Sequence, residues 1–101
     1  MAEKRHPLPP IHPGQILKED LGDAGVSMNR LARDIRVPMN RVSEIVNGKR
    51  AITADTALRL ARYFGTSAQY WLNLQSAYEL QLAARESGER IQSEVLPLNA
   101  A

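Results

Sequence analysis

The sequence predicts an all-α fold, a compact five-helix domain, and three observations carry that expectation. Apolar residues recur at helical 3-4 spacing and strand signals are absent. Proline and glycine punctuate the periodic stretches at Pro13-Gly14, Gly22, Gly25, Pro38, Gly48 and Gly65. Between Ser27 and Arg50 lie two helices too short to bury their apolar stripes alone. They must cross each other at close range.

Taken in order, residues 1–12 read as a proline-rich arm, extended and loosely held. Pro13-Gly14 opens the first helix, whose inner face is Ile16, Leu17 and Leu21, and Gly22 and Gly25 mark its end. Ser27 begins the second, because its hydroxyl can accept a first-turn backbone N–H. Leu31, Ala32 and Ile35 share that helix's buried face, with the small Ala32 where a close crossing needs it. Pro38 opens the third, its fixed φ suiting a first turn. Val42, Ile45 and Val46 point inward, and Asn47-Gly48 supplies a stop. This pair has the layout of a helix-turn-helix.

After Arg50 a connector tucks Ile52 inward, and Thr53-Ala54-Asp55 reads as an N-cap with an acid in the first turn. The fourth helix runs to Phe64 with Ala57, Leu58, Leu60, Ala61 and Phe64 buried, and Gly65 closes it. Ser67 caps the fifth helix. The domain is expected to span 13–87, with residues 88–101 a frayed tail broken by Gly88 and Pro97.

The outer face of the third helix carries the chemistry. Removing its inward residues leaves Met39, Asn40, Arg41, Ser43, Glu44 and Asn47. Asn can bond adenine bidentately, Arg can bond guanine, and Glu can accept from the cytosine amino group. Gly48-Lys49-Arg50 and the helix N-termini suit phosphate, which positions a protein without reading sequence. A solvated helix face would explain any one of these residues, but it explains the set poorly. Charge placement agrees. The chain is only +2, yet residues 27–62 hold eight basic residues (Arg30, Arg33, Arg36, Arg41, Lys49, Arg50, Arg59, Arg62) against Asp34, Glu44 and Asp55. The positive charge is concentrated where phosphate would lie.

Composition excludes other classes. At 101 residues there is room for one small domain, which would gain from dimerisation. Cysteine is absent, so disulfides, thiolate nucleophiles and cysteine zinc sites are out, and a reducing cytoplasm is compatible. The longest uncharged run, Tyr63 to Tyr78, is too short and too polar for a membrane span. The N-terminus lacks the apolar core of a secretory signal. His6 and His12 lie in or beside the arm with no acid on a rigid element nearby, a poor metal site. No hydrolase, zinc-protease or phosphate-loop motif occurs, and Asp34, Glu44 and Asp55 are isolated carboxylates. No enzyme, metal or cofactor is expected.

The fifth helix carries more apolar surface than so small a core needs. Trp71, Leu74 and Tyr78 form one stripe, and Tyr70, Leu72, Ala77, Leu80 and Leu82 widen it. Core packing accounts for one stripe, and the surplus suggests a dimer or partner surface, with Tyr70, Trp71, Leu74, Tyr78 and Leu82 as its candidate residues. Two recognition helices related by a two-fold axis would read half-sites ~34 Å apart on a palindromic site in the major groove.

The text HPGQILKEDL, followed by SMNRLARDIRVPMNRVSEIVNGKRAITADTALRLARYFGTSAQYWLNLQSAYEL, resembles the HigA-type (virulence-associated protein I-like) addiction-module antitoxins. These form a subgroup of the phage-repressor (Xre-like) helix-turn-helix proteins. The resemblance covers residues 12–80, and its most specific part is NGKRAITADTALRLARYFGTS followed by WLNLQ. It implies a cytoplasmic, homodimeric antitoxin of a type II toxin-antitoxin module. Such a protein represses its own promoter and neutralises a small HigB-like mRNA-cleaving toxin by direct contact. It also implies base contacts from Met39, Asn40, Arg41 and Glu44, and contacts from Ser27, Met28, Asn29 and Arg30 at the preceding helix. Asn47, Lys49 and Arg50 match backbone contacts. A stand-alone phage-type repressor with no toxin partner is the alternative.

Two positions depart from the pattern. The turn between the paired helices commonly holds Gly, and here that place falls on Arg36. A non-glycine residue at positive φ costs about 1–2 kcal/mol, so either Arg36 offsets this by reaching phosphate or the turn differs. Gln15 stands where an acid is expected, which removes an ion pair from the first helix.

Overall fold

The computed structural model describes residues 9–99, and the expected arm's residues 1–8, His6 among them, lie outside that range. Five helices and no strand are present among the described residues: α1 (Pro13–Ala24), α2 (Met28–Ile35), α3 (Met39–Val46), α4 (Ala54–Phe64) and α5 (Ala68–Glu94). Side chains start four of them. Ser27 Oγ accepts from Arg30 N–H at 3.1 Å, Thr53 Oγ1 from Thr56 at 3.4 Å, and Ser67 Oγ from Tyr70 at 3.0 Å. The fourth cap is His12, whose Nδ1 accepts from Gly14 N–H at 2.9 Å.

Pro38 differs from the expectation by one position. Its ψ of 143° is extended, so it is the N-cap of α3 rather than its first turn. Its carbonyl accepts from Arg41 and Val42, and no side chain caps the helix.

The core gathers one stripe from each helix around Trp71: Leu17 and Leu21 of α1, Leu31 and Ile35 of α2, Val42 and Ile45 of α3, and Ala57 and Leu60 of α4. Trp71 is fully buried, and its Nε1 donates to Thr66 Oγ1 at 2.9 Å. Burial removes it from the expected partner surface. Gln75, one turn on, is buried as well, and its Oε1 accepts from Ile52 N–H at 2.8 Å. That bond clips the α3–α4 connector to α5 and satisfies an amide that would otherwise be stranded in the core.

Two expectations fail on α4 and α5, one of burial and one of helix length. Leu58 is 64% exposed, because the buried face of α4 runs through Thr56, Ala57 and Leu60 and Leu58 points away from it. The helix expected to stop before Gly88 continues through it to Glu94. One interior glycine costs only about 1 kcal/mol against alanine, and the flanking ARES and ERIQSE segments are good enough helix formers to carry it. At ~1.5 Å per residue the 27 residues of α5 span about 40 Å, the largest part of the molecule's longest dimension, 57 Å against 27 and 23 Å.

Gly14 sets how close α1 comes to α3. A Cβ there would lie 1.8 Å from the Ile45 carbonyl oxygen, so only glycine permits this approach. Pro13 and Gly14 are both buried at the contact. The close approach brings His12 and the end of α3 together.

Candidate nucleic-acid interface

Burial of Val42, Ile45 and Val46 against α1 and α2 turns the opposite side of α3 outward. Asn40, Glu44 and Asn47, spaced at i, i+4 and i+7, share that outer side. Asn40 and Asn47 are exposed, whereas Arg41, Ser43 and Glu44 are half-buried on or beside the stripe. Met39 is different. It packs against the core, which leaves only part of its side chain to the surface. Asn47 Nδ2 donates to Ser43 Oγ at 3.3 Å, a weak tether across one turn.

The turn between α2 and α3 is tight because Arg36 adopts the left-handed conformation, φ 63° and ψ 45°, with its N–H returning to the Ala32 carbonyl. Val37 N–H bonds the same carbonyl at 3.1 Å. Arg36 thus has the geometry glycine would give, and the alternative of a differently shaped turn falls away. Arg36 is exposed. At the start of α2, Ser27, Asn29 and Arg30 are exposed and Met28 packs partly against the core.

Beyond α3 the chain doubles back. Gly48 takes φ 76°, its N–H bonds the Ile45 carbonyl at 3.0 Å, and Lys49 N–H bonds the Glu44 carbonyl at 2.7 Å. This Schellman closure lays Lys49 and Arg50 beside the last turn of α3. The His12 ring packs on Gly48, 3.8 Å from where a Cβ would stand, and meets the Tyr78 ring edge-on at 4.9 Å. Burial pushes the His12 pKa below its usual value, and a hydrogen bond to the Arg50 backbone works against that shift. A neutral imidazole suits the site, since Nδ1 must keep a lone pair to cap α1.

Several basic side chains are already engaged. Arg50 Nε pairs with Glu44 Oε1 at 2.6 Å, and Arg30 Nε lies 3.4 Å from Asp34 Oδ2, which also accepts from the Tyr63 hydroxyl at 2.9 Å. Arg59 Nε pairs with Asp55 at 2.7 Å, and its Nη1 donates to the Ile35 carbonyl at 2.9 Å, capping the end of α2. Exposed pairs like these contribute little stability. Their effect is to aim side chains. Arg36, Arg41 and Lys49 form no ion pair with another described residue.

On α5, Tyr70 and Leu80 are exposed, while Leu74 and Leu82 are half-buried and Leu74 packs on the core. Tyr78, expected to face a partner, is half-buried against His12. Sequence reasoning missed the apolar surface farther along. Ile91, Val95, Leu96 and Leu98 are all exposed, the last at 97%. It also missed Gly14 and Gln75, because neither close backbone approach nor buried amide bonding leaves a periodic signal. No metal-binding cluster occurs among the described residues, and no described helix is long and apolar enough to cross a membrane.

A helix-turn-helix family model matches residues 17–71, which span the interface and reach Trp71. Virulence-associated protein I of Dichelobacter nodosus is 51% identical over 81% of this chain and 77% of its own length. A solved addiction-module antidote protein of the HigA family from Coxiella burnetii superposes with a TM-score of 0.87 at 54% identity, covering 89% of this chain and 99% of that one. This chain belongs to the HigA-type antitoxin family. Another HigA-type structure, the Pseudomonas aeruginosa antitoxin HigA with the higBA promoter, has a TM-score of 0.85 at 48% identity and covers 88% of this chain and 98% of that one. HigA-type chains are helix-turn-helix DNA-binding proteins, not enzymes.

Proposed function

We propose that this chain is the antitoxin of a cytoplasmic type II toxin-antitoxin module, binding operator DNA at its own promoter and blocking a HigB-like ribonuclease by direct contact. The observation that carries the DNA-binding half is the outward stripe of α3. Asn40, Glu44 and Asn47, with Arg41 and Ser43 beside them, stand between the Arg36 turn and the Lys49-Arg50 hook. In this reading Asn40, Arg41, Ser43 and Glu44 meet base edges in the major groove. Arg36, Lys49, Asn47 at the end of the stripe, and the α2 start at Ser27, Met28, Asn29 and Arg30 hold phosphate, with Arg50 beside them.

Specificity requires two copies, because one short helix touches few base pairs. The exposed apolar residues of α5 and the segment after it offer the homodimer and the toxin their surfaces, with Tyr70, Leu74 and Leu82 at the near end. Kinship to an antitoxin solved with its promoter supports the operator. The toxin follows from family membership.

Co-expression with the adjacent small basic reading frame, followed by pulldown and growth scoring, tests the antitoxin half. Co-purification with rescue of growth is the expected result. Intact promoter binding with neither complex nor rescue would leave a stand-alone repressor.

A further inference from the structure

Glu44 and Arg50 are six residues apart, and the last turn of α3 brings them together. The Schellman closure fixes both ends of the contact, since Lys49 N–H is bonded to the Glu44 carbonyl itself. Arg50 Nε then donates to Glu44 Oε1 at 2.6 Å, with the two side chains 48% and 40% exposed. Glu44 lies on the outward stripe one turn beyond Asn40, so a docked α3 would push its carboxylate toward the negative potential of the groove. Arg50 cancels that charge. Its guanidinium has five N–H donors in a rigid plane, and Glu44 is bonded through Nε, with no bond to the end edge formed by the two terminal amino groups. That edge is the one that matches the O6 and N7 acceptors of guanine.

We infer that Glu44 is a positioning residue holding Arg50 over the groove-facing side of α3, and that Arg50 reads a guanine there. The two act as one unit, in place of a glutamate that reads cytosine and an arginine that grips phosphate. The inference rests on the proposed DNA-binding function and adds a specificity determinant to it.

The test measures affinity for the promoter site and for a panel of single-base-pair variants of it. The proteins are the wild type, Glu44→Gln, Arg50→Lys and the double variant, each checked for an unchanged unfolding midpoint. Arg50→Lys keeps the charge but loses the fork, so discrimination at one G·C pair should fall by roughly 5- to 150-fold. Glu44→Gln should erode preference at the same base pair, and the double variant should lose no more than Arg50→Lys alone. The inference is overturned if Arg50→Lys leaves every base preference intact, or if the two losses fall on different base pairs and multiply. A wild-type protein that does not discriminate its promoter from random DNA would overturn the DNA-binding function along with it, a result distinguishable from either.

Discussion

Replacing Gly14 with alanine should be among the most damaging single-methyl changes this domain can suffer. The added Cβ would sit 1.8 Å from the Ile45 carbonyl oxygen and 2.8 Å from its carbon, whereas non-bonded carbon and oxygen need about 3 Å or more. Both atoms belong to backbone, so relief requires α1 to move more than 1 Å away from α3. Intrinsic helix propensity favours alanine by about 1 kcal/mol, and overpacking in cores costs typically 1–3 kcal/mol or more. A displaced α1 also strains the His12 cap and the contact of its ring with Gly48. With about 1 kcal/mol more from the disturbed cap, the net effect should be a loss of about 1–3 kcal/mol, seen as a Tm lowered by roughly 5–20 °C for a domain this size. Urea unfolding monitored through buried Trp71 reads the same loss. Gly22→Ala is the control, since it lies within α1 and its Cβ would meet nothing within 4 Å. That change should stabilise by about 0.5–1 kcal/mol. A Gly14→Ala variant as stable as the wild type would refute the close-approach argument.

The remaining predictions concern the turn, the cap and the connector. Arg36→Gly relieves a left-handed non-glycine residue and should raise unfolding stability by about 1 kcal/mol, while flattening the salt dependence of DNA binding by about one unit if Arg36 meets phosphate. His12 is held neutral by burial, with a folded-state pKa below its unfolded value, so its contribution is full above pH ~6.5 and is lost as pH falls through the folded pKa. Urea midpoints should therefore decline on acidification through that window, and His12→Asn, which retains a capping oxygen, should remove that part of the slope. Gln75→Leu leaves the Ile52 N–H buried without its acceptor and should cost about 1–3 kcal/mol in chemical denaturation; a neutral result would mean water replaces the amide.

Which features were legible follows from the kind of interaction behind each. Ser27, Thr53 and Ser67 announce helix starts because capping is local chemistry between a side chain and an amide three residues on. The 3-4 spacing of Leu31, Ala32 and Ile35 identifies the α2 core face, because each burial is a repeat of one geometry. Leu58 misleads because residue type alone does not say which side of α4 faces the core. Trp71 misleads in the same way, since its type suits a partner surface as well as the core that buries it.

The His12 arrangement needs three separated segments, Gly14, the Gly48–Arg50 hook and Tyr78, and no single window contains them. The Glu44–Arg50 pair was hidden similarly, since it depends on the reversal at Gly48 and spans a helix end. Arg36 is the instructive case at the turn. The pattern located the residue, and the geometry shows that the left-handed turn is kept despite the side chain.

The central claim is that α3 reads base sequence and that Lys49 and Arg36 beside it hold phosphate. The most direct measurement is the affinity of the wild type, Arg41→Ala and Lys49→Ala for the native promoter and for shuffled DNA, across a salt series. Arg41→Ala should cost about 1–3 kcal/mol on the promoter and little on shuffled DNA, and Lys49→Ala should weaken both alike and lower the salt slope by about one. Equal losses on both DNAs for Arg41→Ala, or a wild type that binds them equally, would contradict the account.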